Sequence, residues 1–437
     1  MKNKYFIKSL LLFGLVAAVF SFNSCKDDDE NGGDKSKPVI KAVYLEDAQS
    51  SVPDRLVDFA RLGQTIRLEG ESFLGVNKLF INGFESLFNP ALMTNTSMVV
   101  QISSRVPTID APDNVRNTIV LEKSGIDPCT YTFEIRAAAP SITSISHTMP
   151  QAGDRITVYG NGLQEITSVT FPGNVTVTDG IVSDDEKGTF FEVTVPAGVS
   201  NDGGSIFAAG ANGGVYSPAC FNYKKGLLHN FDDVDNYSWG SGVDNTALTA
   251  LIPASGNGPK SQGGYQVFNS GGSLGAGADQ RLWLNSSNAA FTDAMNTIAA
   301  STSADQCGIQ MDIYVVGEWN SGIIRFSMAD GYGASRYCMI YQPVYVASVY
   351  TPGAFVNPGC WFTVTLPFGS GADFAGKMFS DVTYEIGRAP YKQIGPWFEN
   401  SGIKDIFDPV AATEKVYFDN IRVVPLTTPA YSDYPDE

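Results

Sequence analysis

The amino-acid sequence predicts an all-β chain of 437 residues, built from two repeated sandwiches and a larger third one. Three observations carry that expectation. Charged residues are only 17% of the chain against 44 glycines and 23 prolines, a composition that suits short strands joined by tight turns. A stretch beginning at Gly63 recurs from Gly153 with one constant offset. From about Gly226 onward, β-branched and aromatic runs alternate with turn residues, and no helical period is sustained.

The chain opens with Lys2, Lys4 and Lys8, then the apolar run "LLLFGLVAAVF" and the stretch "SFNSCKDDDE". That run is too short to span a bilayer, which takes about 20 residues, but long enough for a signal-peptide core. The short residue Ser24 precedes Cys25, and no A-x-A site lies beside it, which argues against an ordinary secretory peptide. These residues resemble a bacterial lipoprotein signal of the Bacteroides type. The resemblance implies a signal peptide over 1–24, acylation of Cys25, and an acidic surface-export signal with linker over 25–37. It places the mature protein on the outer membrane, lipid-anchored and facing outward. The acidic run also reads as a solvated linker.

The formal charge of −17 argues against nucleic acid and against electrostatic docking on anionic lipid, and suits a neutral ligand. Beyond Cys25, the cysteines are Cys129, Cys220, Cys307, Cys338 and Cys360, so at least one thiol stays free. Most read as buried small hydrophobes, with a Cys307–Cys338 bridge as one weakly indicated pairing. His147 and His229 are the only histidines, which argues against a His-based triad or a multi-His metal site; each reads as a polar loop residue. Residues 371–378, "GADFAGKM", nearly spell a phosphate-binding loop. Met378 lacks the metal-binding hydroxyl, and the following "SDVTYEIG" reads as a strand, so the segment is a turn. The run "DDVD" (232–235) is acidic enough to help hold calcium but lacks an EF-hand spacing. No metal or cofactor is expected.

Within the repeat, Gly63, Gly70 and Gly83 recur as Gly153, Gly160 and Gly173, where turns needing positive φ are expected. Ile66 and Leu68 match Ile156 and Val158 as inward positions of a strand, and Leu79 and Ile81 match Val169 and Phe171. Each copy starts with a proline and an alternating strand, "PVIKAVY" and "PSITSIS". The two copies, 38–137 and 138–225, resemble immunoglobulin-like sandwiches of the IPT/TIG type, which usually act as spacers. The first has a longer opening loop with room for a short helical turn. The join "RAAAPS" is short and proline-bearing, so the pair should sit end to end.

The third unit, 226–426, runs from "LLHNFDDVDNYSWG" to "KVYFDNIRVVPL" and is followed by a tail, 427–437. Its closing strand alternates Val416, Phe418, Ile421 and Val423 around a kink at Asp419-Asn420. The strand runs predict a β-jelly-roll sandwich. The "NFD" opening and "FDNIRV" ending resemble carbohydrate-binding modules. Anchor, two Ig-like spacers and jelly roll together resemble the surface glycan-binding proteins of polysaccharide-utilisation systems, of the type whose last domain is named for xyloglucan binding. That resemblance implies a non-catalytic protein with a polysaccharide partner, a β-glucan such as xyloglucan or mixed-linkage glucan. It also implies the outer membrane and an outer-membrane glycan transporter complex as partners.

Neutral sugars are bound by exposed aromatic faces flanked by amide, carboxylate or guanidinium groups. Trp319, between Glu318 and Asn320 at a polar turn, is the leading candidate. With Cys338 and Ile340 read as core, Tyr337 and Tyr341 face out, joined by Tyr345. Trp283 and Trp397 have polar neighbours and follow; Trp239 and Trp361 read as structural. A glycoside hydrolase drawing on Glu318, Asp330 or Glu385 is the alternative, and a non-catalytic adhesin the third reading.

Overall fold

The computed structural model describes residues 35–47, 52, 54–248, 258–328, 338–346, 349–351, 353–400 and 410–434. The leader, Cys25, Asp330 and Tyr337 lie outside the described residues. Among the described residues, no helix is long and apolar enough to cross a membrane.

Three hydrophobic cores follow one another along the chain. In the first sandwich, the sheet of Arg55–Leu56, Val39–Leu45, Thr65–Glu71 and Ser97–Gln101 shares a core with that of Phe84–Ser86, Val76–Ile81, Thr118–Lys123 and Ile126–Thr132. In the second, Ser141–Ile145, Arg155–Asn161, Phe190–Thr194 and Val182–Ser183 form one sheet. Val175–Val177, Ser168–Phe171, Phe207–Gly210 and Gly213–Tyr216 form the other. The eight apolar repeat positions are all buried, as their alternation predicts.

The repeated glycines divide into two kinds. Gly63, Gly83, Gly153 and Gly173 have positive φ. Gly70 and Gly160 do not, contrary to the turn expectation. Each lies in a strand beside a register shift, Ile40/Ala42 in one copy and Ile142/Ser144 in the other. A Cβ there would sit 1.8 Å from the Val39 carbonyl oxygen or 1.8 Å from that of Ser141, so only glycine lets the strands approach. The first copy's opening loop carries no helical turn among its described residues; Phe59–Arg61 instead pairs in parallel with Glu134–Arg136.

The third core lies between two sheets of a jelly roll. One orders Leu227–His229, Lys415–Pro425, Cys307–Val316 and Phe362–Pro367, with Gln266–Phe268 also on Lys415–Pro425. The other orders Tyr237–Ser241, Asp279–Asn285, Gln393–Glu399, Ile323–Met328 and Cys338–Tyr341. Val416, Phe418, Ile421 and Val423 are fully buried, and Asn420 takes φ 51° where the register shifts. The segment after Lys377 is a helix, Phe379–Arg388, and not a strand. Phe379, Val382 and Ile386 recur on one face and are buried, and the Asp381 carboxylate accepts the Met378 N–H at 2.9 Å. The phosphate-loop reading still fails on the missing hydroxyl. Among the described residues no disulfide is formed, so Cys307 and Cys338 are not bridged. Both histidines are buried, not loop-surface residues.

A buried polar joint locks the second sandwich to the third. Arg422 Nη2 donates to Asp312 Oδ1 at 2.9 Å and to Thr148 Oγ1 at 2.8 Å. Thr148 Oγ1 in turn donates to Gln310 Oε1 at 2.7 Å, and the Thr363 N–H donates to the Ser146 carbonyl at 2.9 Å. Burial alone would raise Asp312, but Arg422 and then His147 hold it below the usual carboxylate range. Burial, with the Asp312 charge behind it, pushes the neighbouring Asp419 well up.

Candidate functional site

The jelly-roll sheet that runs from Tyr237–Ser241 to Cys338–Tyr341 turns one side to the core and the other outward. Leu282, Leu284, Ile324, Phe326, Met339 and Phe398 fill the core. The intervening residues therefore share the outward face, where register brings distant segments together. Trp239 is the cross-strand partner of Trp283. Trp397 lies between Arg281 on one neighbouring strand and Arg325 on the other. Asp279 stands opposite Glu399, and Ile340 opposite Arg325.

The rings are held in an ordered array. Trp283 meets Trp397 edge-on, with centroids 5.3 Å apart and planes at 89°. The Arg281 guanidinium lies 4.0 Å from the Trp397 centroid, and that of Arg325 lies 5.8 Å away. Asp279 grips Arg281 with both oxygens, the Nη2–Oδ2 distance being 2.7 Å, and Glu399 holds Arg325 at 2.6 Å. Trp239 is 41% exposed, whereas Trp283 is 6% and Trp397 2% exposed. Trp239 is thus the indole open to solvent, and Trp283, its cross-strand partner, packs on Trp397 within the sheet surface. The Trp397 Nε1–H is buried without an acceptor. Along the rim, Gln393 Nε2 donates to Ser238 Oγ at 2.9 Å. A cleft of about 420 Å³ adjoins the Trp239 strand, lined by Gly240, Asp244, Thr246, Leu248, Gln266 and Ser270 among others. The arrangement combines an aromatic surface with neutralised charge pairs and amides, the chemistry that fits C–H faces and hydroxyls.

The leading sequence candidate is misplaced. Trp319 is fully buried, its Nε1–H donates to the Gly322 carbonyl at 3.1 Å, and its ring packs on Tyr341, Phe355 and Phe398. Gly317 and Gly322, both at positive φ, fold the turn so that the indole goes under the sheet. Asn320 is engaged in holding the Thr413 segment: its Oδ1 accepts the Thr413 N–H at 2.9 Å, and its Nδ2 donates to the Ala411 carbonyl at 3.0 Å. Glu318 is exposed beside it. The facing of the tyrosine strand is also reversed. Met339 is buried and Tyr341 packs on the core, while Ile340 is 40% exposed. Burial pushes the Tyr341 hydroxyl up to about 12. Tyr345 lies on a short strand, Tyr345–Val346, paired with Val349–Tyr350 in a separate two-stranded sheet. Trp361 is buried, as read. Trp239, read as structural, is the exposed indole. The alternation of "DQRLWLN", with Leu282 and Leu284 inward, carried the signal for Arg281 and Trp283; nothing in the sequence paired them with Trp397.

The chain thus sets two Ig-like sandwiches before a jelly roll that carries indoles and arginine–carboxylate pairs on the outward face of one sheet. Residues 221–425 match the family described as the surface glycan-binding protein B xyloglucan binding domain. An IPT/TIG domain-containing protein of Bacteroides ovatus is 29% identical over 180 residues, 40% of this chain and 35% of that relative, so the match spans about a third of its length. The crystal structure of the surface glycan-binding protein PbSGBP-B from Prevotella bryantii shares the fold, with a TM-score of 0.61 at 17% identity over 90% of this chain and 99% of that one. The likeness to surface glycan-binding proteins read from the sequence is thus borne out.

Proposed function

We propose that this chain is a non-catalytic, lipid-anchored protein of the outer cell surface that captures a neutral polysaccharide for uptake. The ligand class is a β-glucan, xyloglucan or mixed-linkage glucan, bound on the outward face of the third sandwich. The single observation carrying this is the Trp239–Trp283 cross-strand pair beside Trp397, flanked by Arg281 and Arg325. The description of the matching domain family as xyloglucan binding supports the same ligand. The two Ig-like sandwiches act as spacers, and an outer-membrane glycan transporter complex is the partner that receives the captured chain.

A hydrolase reading has less support. Of its sequence candidates, Glu385 pairs with Arg388 in the helix, and Glu318 stands on an exposed turn. The two carboxylates of the outward face, Asp279 and Glu399, each hold an arginine.

Affinity electrophoresis of the soluble chain through gels loaded with xyloglucan or mixed-linkage glucan tests the reading. Retardation without release of reducing ends is expected. Free migration in every gel overturns it in favour of an adhesin, and reducing-end release overturns it in favour of an enzyme.

A further inference from the structure

The last residues leave the third sandwich and return along the whole molecule. After Lys415–Pro425 ends, the Thr427 carbonyl accepts the Ala219 N–H at 3.0 Å, beside the second sandwich. Tyr431 then packs its ring on Phe207 and Tyr216 of that sandwich, at centroid distances of 5.2 Å and 6.2 Å. Two residues on, the chain reaches the first sandwich. Asp433 pairs with Arg61 and, at 3.3 Å, with Arg136. Tyr434 stacks on Phe59, with centroids 5.2 Å apart and planes within 7°, and the Arg55 guanidinium lies 4.9 Å from the Tyr434 centroid.

We infer that residues 427–434 are a C-terminal clasp that makes the three sandwiches one rigid arm. The joints it reinforces differ in strength. The second-to-third joint is the buried network around Arg422 and Asp312. The first-to-second joint relies on a partly exposed Arg116–Glu165 pair, at 2.8 and 2.6 Å, and on Asn212, whose side chain accepts the Ala137 N–H at 3.0 Å. The clasp lands on this weaker joint: Arg61, which Asp433 holds, also donates to the Ala137 and Asn212 carbonyls, at 3.0 and 2.9 Å. Contacts of this kind are weak singly. They persist because the tail is tethered at Pro425, so that each contact forms intramolecularly.

The consequence is a binding face held at a fixed orientation to the N-terminal sandwich, and so to the anchor. This rests on the reading of the first two sandwiches as spacers. The test uses the soluble chain beginning after Cys25, a truncation after Thr428, and the double variant Asp433→Ala/Tyr434→Ala. Small-angle scattering should show a broader distance distribution in both variants. Proteolysis at the 137–140 join should become severalfold faster, while retardation by xyloglucan stays unchanged. Identical scattering and cleavage in all three proteins would overturn the clasp. Because the double variant keeps the whole chain, any unfolding caused by truncation is distinguished from hinge motion. Lack of glycan binding would sink the proposed function and leave the scattering result to decide the clasp by itself.

Discussion

Arg422 of the third sandwich donates to the hydroxyl of Thr148 in the second at 2.8 Å, and both side chains are shut off from solvent. The same guanidinium carries the Asp312 ion pair, buried to 0% and 1% exposure. A neutral hydroxyl and a carboxylate thus share one buried cation, and their removal has very different costs. Asp312→Ala leaves Arg422 charged and unpaired and should cost about 3–5 kcal/mol in denaturant titration. Thr148→Val removes a neutral acceptor from Arg422 and the hydroxyl that donates to Gln310, and should cost about 1–3 kcal/mol. Equal effects of the two would mean that Arg422 finds another counter-charge.

Trp239 and Trp319 should separate binding from stability. Trp239→Ala removes an exposed ring; the melting temperature should stay nearly unchanged while β-glucan affinity falls by about 2 kcal/mol, roughly thirtyfold. Trp319→Ala opens a hole in the core and should cost about 3–5 kcal/mol of stability. A stable Trp319→Ala protein that no longer binds would return Trp319 to the site.

Gly160→Ala should destabilise the second sandwich by about 1–3 kcal/mol through a forced backbone shift. Its Cβ would fall 1.8 Å from the Ser141 carbonyl oxygen and 2.9 Å from Leu163. Gly70→Ala should behave alike in the first sandwich. Thermal unfolding within error of the unaltered chain would show that the paired strands can part at no cost.

His229 is buried, and burial lowers it to about 4. Its folded value lies below the unfolded value of 6.5, so the unfolded state binds the extra proton between them. Stability from this group is therefore present above pH 6.5 and is lost as pH falls toward 4. In that window, His229→Gln should reduce the pH slope of unfolding free energy by up to about 1.4 kcal/mol per pH unit. An unaltered slope would mean that His229 takes up its proton while folded.

Cys25→Ser should release the protein from cells, since the proposed anchor needs an acylated thiol at that position. Protease added to intact cells should digest the unaltered protein. Protection until lysis would contradict the outward orientation.

Much of the fold is written in local pattern. The period of two placed Val416, Phe418, Ile421 and Val423 in the core, and the repeated glycines announced a duplicated sandwich. The same logic failed where local pattern is ambiguous. "YCMIY" is apolar on both faces, so alternation alone offers two registers, and the neighbouring strand Ile323–Met328 chose the one that buries Met339. "FSDVTYEIGR" reads as a strand by residue type, yet its apolar residues also recur at helical spacing, and packing selected the helix.

The sequence by itself determined the all-β class and the repeat, because each depends on residues close together along the chain. The tertiary structure alone decided which indoles lie on the surface. Trp239, Trp283 and Trp397 stand far apart in sequence, and only strand pairing sets them side by side. It also decided that the tail after residue 426 runs back to Arg61 and Phe59. Contacts of that sequence separation depend on how whole sheets stack, which no local period encodes.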